Sequence, residues 1–307
     1  MSGHYSVLLK ESIEGLNINP KGIYVDMTLG GGGHSYEIAS LLTSGRLFCF
    51  DQDSYAIEVA AERLKEFSNI TYIHSNFEFM KSELQSRNIE AIDGIIFDLG
   101  VSSFQLDIPD RGFSYNYDYP LDMRMDQTQS LTAREIVNNY SFQELTKILF
   151  EYGEENFAKN IANQIIKQRA IKPIETTFEL VDIIKKSLPS KVLSKKGHPA
   201  KQTFQALRIA VNNELDVFEK ALEDAISILS PKGRIVVITF HSLEDRICKQ
   251  VFKRYSTIDI PKGLPILITE EPPLKLINKK VILPSSEELD ENNRSHSAKL
   301  RIAEKNQ

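Results

Sequence analysis

Four consecutive glycines, Gly30 to Gly33, lie between an apolar run and a helical one, with Asp26 ahead of them and His34 directly behind. Glycines in that position let the backbone come close to a ligand and turn amide N–H groups toward it. Eighteen residues past Gly33, Asp51 ends a second apolar run, Leu47-Phe48-Cys49-Phe50. At that distance a Rossmann-type unit sets a carboxylate on a pair of ribose hydroxyls. A loop that binds nothing would account for the glycines alone, but not for strand, helix and spaced acid together.

From Gly30 the dinucleotide pattern G-x-G-x-x-G fails at Ser35, and no lysine follows the glycines as a phosphate-binding P-loop requires. Asp26 would repel a pyrophosphate. It suits a ligand with a cationic amino group and a sulfonium, and S-adenosylmethionine is such a ligand.

The elements that must position these residues alternate between strand and helix. Tyr24–Met27, Leu47–Asp51, Ile70–His74 and Gly94–Asp98 read as short apolar strands, separated by helical patterns at Tyr36–Leu42, Tyr55–Phe67 and about 80–87. Near-continuous apolar strands joined by helices imply a parallel sheet covered on both faces, with ligands beyond the carboxyl ends of the strands. Asp26, Asp51, Phe77 and Asp98 all fall at or just past those ends. Phe77 either flanks an adenine ring or is plain core. Each acid alone is as readily structural as functional, and the convergence of four residues on one edge carries the expectation.

The chain of 307 residues is long enough for more than one domain. Its net charge of −5 means that contact with nucleic acid requires a local patch. Cys49 and Cys248 have no partner at metal-ligand spacing, so buried thiols in a reducing compartment and no metal are expected. Neither a signal peptide nor a run of 18 apolar residues is present, which reads as a cytoplasmic chain without a membrane span.

After Asp98 comes a long stretch of little periodicity through Asp126, rich in aromatic residues and methionine (Phe113, Tyr115, Tyr117, Tyr119, Met123, Met125). Arg111 and Arg124 within it could pair and stack with a nucleic acid, or the stretch could be a packed loop with its own small core. From Thr132 to Asn213 the pattern is helical, with a capping box at Ser141-Phe142-Gln143-Glu144. Between Lys185 and Lys201 there are six lysines, His198 and no acid. This is either a patch suited to phosphate contacts or a solvated linker. A fifth strand, Gly233–Phe240, returns the chain to the sheet, and His241-Ser242-Leu243-Glu244-Asp245-Arg246 follows it. A hydrolase is disfavoured, because no Gly-x-Ser-x-Gly elbow surrounds Ser242. In the tail, Lys280–Leu283 and Ala298–Ile302 read as strands, with a turn at 292–297 between them.

These motifs together resemble one family, RsmH, also called MraW. The likeness rests on His4-Tyr5-Ser6-Val7-Leu8-Leu9, Asp26 to His34, Asp98-Leu99-Gly100-Val101-Ser102-Ser103, Arg111-Gly112-Phe113-Ser114, Pro120 to Asp126, Thr239 to Arg246 and Arg294 to Arg301. It spans nearly the whole chain, and Leu121-Asp122-Met123-Arg124-Met125-Asp126 is a very specific string. The resemblance implies an α/β, class I S-adenosylmethionine-dependent methyltransferase fold, Rossmann-like with a mostly parallel sheet, carrying an inserted all-helical domain. Residues 1–108 and 214–307 would form the methyltransferase domain, and 109–213 the insert that recognises substrate. It further implies S-adenosylmethionine as cofactor, held at Gly32, Gly33, His34, Asp51, Phe77, Asp98 and Gln105. The implied substrate is the N4 amino group of a cytidine in 16S ribosomal RNA of the small subunit. One departure is Phe104, where many relatives have proline.

N4-amino methyltransferases of DNA commonly place Asp/Ser-Pro-Pro-aromatic after the fourth strand. Here Asp98-Leu99-Gly100-Val101 occupies that place without the prolines or the aromatic. Asp98 is the catalytic candidate, orienting either cofactor or amino group. A DNA amino-methyltransferase and a non-catalytic RNA-binding assembly protein are the alternatives.

Overall fold

The computed structural model describes residues 6–258 and 271–306, so His4 and Tyr5 of the first motif lie outside the described residues. The chain divides into two compact units, Met1–Gly100 with Leu215–Gln307, and Val101–Glu214. Residues 101–108 and Glu214, expected in the first unit, go with the second.

In chain order the first unit begins α1 (Leu9–Leu16), β1 (Ile23–Asp26), α2 (Gly33–Leu41), β2 (Arg46–Asp51), α3 (Ser54–Arg63), β3 (Ile70–His74), α4 (Met80–Gln85) and β4 (Ile92–Asp98). The second unit follows as α5 (Ser103–Asp107), α6 (Ala133–Asn139), α7 (Phe142–Glu151), α8 (Ala158–Arg169), α9 (Thr177–Ser187), α10 (Ser190–Leu193) and α11 (Lys201–Asn212). The chain returns through α12 (Glu214–Ile228), β5 (Leu229–Thr239), α13 (Ser242–Ser256), β6 (Leu274–Leu276), α14 (Ser286–Glu291) and β7 (Lys299–Lys305).

The strands form one seven-stranded sheet in the order β3-β2-β1-β4-β5-β7-β6. β1 to β5 are parallel, β7 runs antiparallel to β5, and β6, antiparallel to β7, runs in the direction of β1 to β5. This is the class I methyltransferase architecture. The apolar strands sort by their two-residue period onto two covered faces. Val25, Phe48, Phe50, Ile95, Phe97 and Val237 pack with Phe218, Leu222 and Val251 of α12 and α13. Tyr24, Leu47, Cys49, Ile96, Val236 and Ile238 face the other way, with Leu16, Ile38 and Ala60 of α1, α2 and α3. Strand order reverses between β1 and β4, so the crevice at their carboxyl ends is where a sheet of this kind takes its ligand.

The tail differs from expectation. Lys280–Leu283 makes a single bridge, Ile282 to Leu300, and the strand lies earlier, at Leu274–Leu276. The reason is competition for β7. Leu274–Leu276 takes residues 303–305, Ile277 N–H donates to Ile302 O, and Asn278 Oδ1 accepts the Ile302 N–H, which leaves only Leu300 for Ile282.

The second unit is helical around its own core of Leu145, Leu149, Ile161, Ile165, Leu180, Ile184, Phe204 and Leu207. The stretch without periodicity packs into that core through Phe113, Leu121, Met123 and Met125. Asn212 holds it in place, accepting the Met125 N–H at 2.8 Å and donating to Met123 O at 2.8 Å. Arg111 and Arg124 are therefore not offered to a nucleic acid. Arg111 is buried and donates to Arg124 O and Met125 O, and Arg124 makes paired bonds to Asp122 at 2.8 Å. Among the described residues, no helix is long and apolar enough to cross a membrane.

Candidate active site

The glycine loop turns because Gly30 and Gly32 adopt φ of +47° and +73°, a left-handed backbone that side chains resist. Gly32 N–H closes onto Leu29 O at 2.7 Å, and Tyr36 N–H reaches back to Gly32 O. Space is also short: a Cβ on Gly32 would meet Leu64 and Ala60 at 3.1 and 3.3 Å, and one on Gly33 would strike Ser6 Oγ.

Asp51 ends β2 against this loop. Its Oδ2 accepts the Gly30 N–H at 2.9 Å and its Oδ1 the Asp53 N–H at 2.9 Å. Each oxygen keeps a second lone pair for a hydroxyl donor. Burial raises the carboxyl to about 6, opposed by these two hydrogen bonds and assisted by the charges of Asp53 and Asp26.

Asp26 departs from expectation. It is buried, with Oδ2 accepting from Ser35 Oγ at 2.6 Å and Oδ1 from Thr28 N–H at 3.0 Å. The carboxylate ties the loop to the sheet, and its influence on a ligand is through its field alone.

Asp98 ends β4 beside β1, its N–H donating to Thr28 Oγ1 at 2.7 Å. Its side chain is about three-quarters buried, and Oδ1 is enclosed with no hydrogen-bond partner. Burial pushes the carboxyl well above its ordinary range, and the charges of Asp26, Glu244 and Glu288 push it further. On the other oxygen, Oδ2, His34 Nδ1 stands at 3.6 Å. His34 is buried, with Nε2 3.1 Å from Val7 O, and burial lowers its titration to about 4. It is therefore neutral at physiological pH, and a proton on Nε2 pointing to Val7 O leaves Nδ1 as an acceptor.

Phe77 opens a short 3-10 turn after β3, partly buried and edge-on to Phe97 at 6.3 Å. Asn76 caps that turn by accepting the Glu78 N–H. Gln105 lies in the second unit, buried on α5, where its side chain closes a capping box with Ser102. Asp51 and Asp98 are thus each fastened to the loop that carries Gly32, Gly33 and His34, Asp51 through Gly30 and Asp98 through Thr28 and His34, with Phe77 following the neighbouring β3.

Three residues of the first unit shape this edge without having been singled out in the sequence. Glu244 is buried and accepts the Phe240 and His241 N–H groups, closing the capping box of α13. His241 and Ser242 are thereby the entry to a helix, with no nucleophile arrangement. Glu288 of α14 accepts the Leu8 N–H at 2.9 Å, fastening the N-terminal segment that carries Val7. Thr28 braces Asp98. The His241–Glu244 spacing is a readable cap signal, whereas Glu288 reaches Leu8 across 280 positions and has no local signature.

The arrangement selects for positive charge. An orphan carboxylate oxygen, surrounded by further acids, is stabilised by a cation and by an N–H donor. Asp51 offers acceptors to hydroxyls and the loop offers close backbone approach. An adenosine ribose bearing a sulfonium and an ammonium fits that donor and charge set, and a pyrophosphate does not.

The sequence matches the MraW methylase family over residues 1–306. A ribosomal RNA small subunit methyltransferase H from Exiguobacterium sibiricum is 57% identical, over 99% of each chain. Among solved structures, an rRNA methylase from Streptococcus thermophilus has 13% identity and a TM-score of 0.45, over 99% of this chain and 100% of that one. A Streptococcus mutans structure in complex with SAH has 12% identity and a TM-score of 0.45, over 98% and 99%. Both structures are distant likenesses.

Proposed function

The chain belongs to the MraW methylase family, and we propose that it moves a methyl group from S-adenosylmethionine to the exocyclic N4 amino group of a cytidine in 16S ribosomal RNA of the small subunit. It is an S-adenosylmethionine-dependent methyltransferase, and the relative at 57% identity is named for the small-subunit ribosomal RNA. Its place of action would be the cytoplasm, where ribosomal subunits are built.

In this reading Gly32, Gly33 and Asp51 hold the cofactor, with Phe77 against its base. The bound cofactor supplies an electrophilic methyl on a positively charged sulfur. Asp98 works beside it. With a positive charge at hand the carboxyl ionises, and Oδ1 becomes an acceptor for an N–H. The N4 nitrogen is a weak nucleophile because its lone pair is delocalised into the ring, so alignment of that lone pair with the methyl carbon is the main contribution the protein can make. A hydrogen bond from the amine to Asp98 Oδ1 fixes that orientation. The nitrogen gains a bond to the methyl carbon as that carbon's bond to sulfur breaks with the electron pair staying on sulfur, and the nitrogen gives one of its protons to water.

The observation that carries the proposal is the unpartnered Asp98 Oδ1 at the sheet's switch point, among three further carboxylates. The test is labelled-methyl transfer offered side by side to unmodified small subunits, naked ribosomal RNA and DNA. Label in the subunits supports the proposal. Label in DNA alone would assign a DNA amino-methyltransferase. Cofactor binding with no acceptor labelled would remove the substrate assignment.

A further inference from the structure

The second unit carries positive charge that its own fold does not use. Residues 183–213 contain no aspartate or glutamate, yet hold Lys185, Lys186, Lys191, Lys195, Lys196, Lys201 and Arg208. Arg208 is satisfied by paired bonds to Glu214 at 2.9 and 2.8 Å. The six lysines are all exposed, and among the described residues none is ion-paired. Two other exposed cations of this unit are neutralised, Lys172 by Glu179 at 2.7 Å and Arg134 by Glu175 at 2.6 Å, while Lys147, Lys159 and Lys167 are exposed and scattered singly along α7 and α8.

Local stability explains only part of this placement. Lys185 and Lys186 stand in the last turn of α9, where the helix dipole favours cations. Lys201 opens α11, which has no acid in its first turn and no side-chain cap, and there the dipole opposes a cation. Lys195 and Lys196 precede Gly197, which has φ of +105° and open space around it. His198 follows, its ring stacked on Tyr115 with centroids 4.3 Å apart and planes 9° from parallel, and Tyr115 meets Phe204 edge-on. The Lys185 charge is felt at His198, adding to the burial that lowers its titration. The Lys185 ammonium at the C-terminal turn of α9 and the turn that carries His198 therefore share one neighbourhood.

We propose that residues 185–201 are the surface by which the second unit holds the phosphodiester backbone of its RNA, with the Tyr115–His198 stack fixing the lysine-bearing turn. This role presupposes the ribosomal RNA substrate proposed above. A polynucleotide presents a phosphate at every residue, which suits mobile point charges that lack a shaped acceptor. The chain's net charge of −5 opposes a polyanion overall, so attraction has to come from such a patch.

The test is the triple variant Lys191→Gln, Lys195→Gln, Lys196→Gln in the full chain. It is assayed for methyl transfer to small subunits lacking the modification, across salt concentrations at fixed magnesium. The expected result is a rise of at least ~10-fold in KM for subunits, falling on KM rather than kcat, and a salt slope smaller by about two to three. Affinity for S-adenosylmethionine stays at the parent value, and Lys172→Gln, whose lysine is already paired, behaves as the parent. An unchanged KM and slope in the triple variant would overturn the assignment while leaving the ribosomal RNA reading intact. A parent chain that binds S-adenosylmethionine but neither binds nor methylates subunits would overturn both.

Discussion

In the proposed reaction Asp98 is where chemistry and electrostatics meet. Because its ionised form is disfavoured by burial and by three neighbouring acids, Asp98→Asn removes a group whose charging its surroundings oppose. The variant should keep or slightly raise the melting temperature and lose methyl transfer by at least ~100-fold. Undiminished turnover would deny Asp98 a chemical role. His34 tests the same edge from the other side. Its ring should stay neutral until about pH 4 by nuclear magnetic resonance titration. An unfolded histidine takes its proton near 6.5, so the stability His34 contributes is complete above that pH. It is lost as pH falls toward 4, by about 3 kcal/mol in all. Asp51, raised from 3.8 to about 6, is ionised above that value and accepts hydroxyl donors on both oxygens. Affinity for S-adenosylmethionine should weaken as pH drops through about 6, and Asp51→Asn should flatten that dependence. The acids at the strand ends were readable from the chain, since each closes an apolar run. Their division of labour was not. That Asp26 is spent on Ser35 and Thr28 while Asp98 keeps an orphan oxygen depends on where a hydroxyl nine residues away points, and periodicity carries no information about that.

At the level of elements, glycine and asparagine decide more than the helices they border. Gly32→Ala puts a side chain on a left-handed residue with Leu64 and Ala60 at 3.1 to 3.3 Å. It should cost ~1–2 kcal/mol of stability and a larger share of cofactor affinity, read by calorimetry. Asn212→Ala leaves the Met125 N–H and the Met123 O without partners in a buried setting. It should destabilise the second unit by ~2–4 kcal/mol and raise hydrogen exchange across residues 121–126. Strand and helix positions followed the sequence closely wherever a period existed: Ile70–His74 is the strand that was expected, and Ser141 and Glu144 form their capping box. The segment after Asp98 gave no period because it packs through scattered residues onto helices that come later. Its short helix α5 and the burial of Arg111 were invisible for that reason.

For the molecule as a whole, alternating strand and helix implied a parallel sheet with its ligand edge, and the loss of strand pattern after residue 132 implied an insert. The reversed strand β7 and the β6 strand it carries were not legible, because the register Arg234 to Glu304 is set across 70 positions by competition for one edge. The run of unpaired lysines could be seen as composition, and its exposure only in three dimensions. All of this converges on one claim, that the edge holding Asp98 aligns a cytosine amine with a sulfonium methyl. The most direct measurement is nucleoside mass spectrometry of unmodified small subunits after incubation with the enzyme and isotopically labelled S-adenosylmethionine, with Asp98→Asn as the paired control. Label in N4-methylcytidine with the parent enzyme and its loss with the variant is the predicted result. Label on a ring carbon, on the ribose or on another base would contradict it.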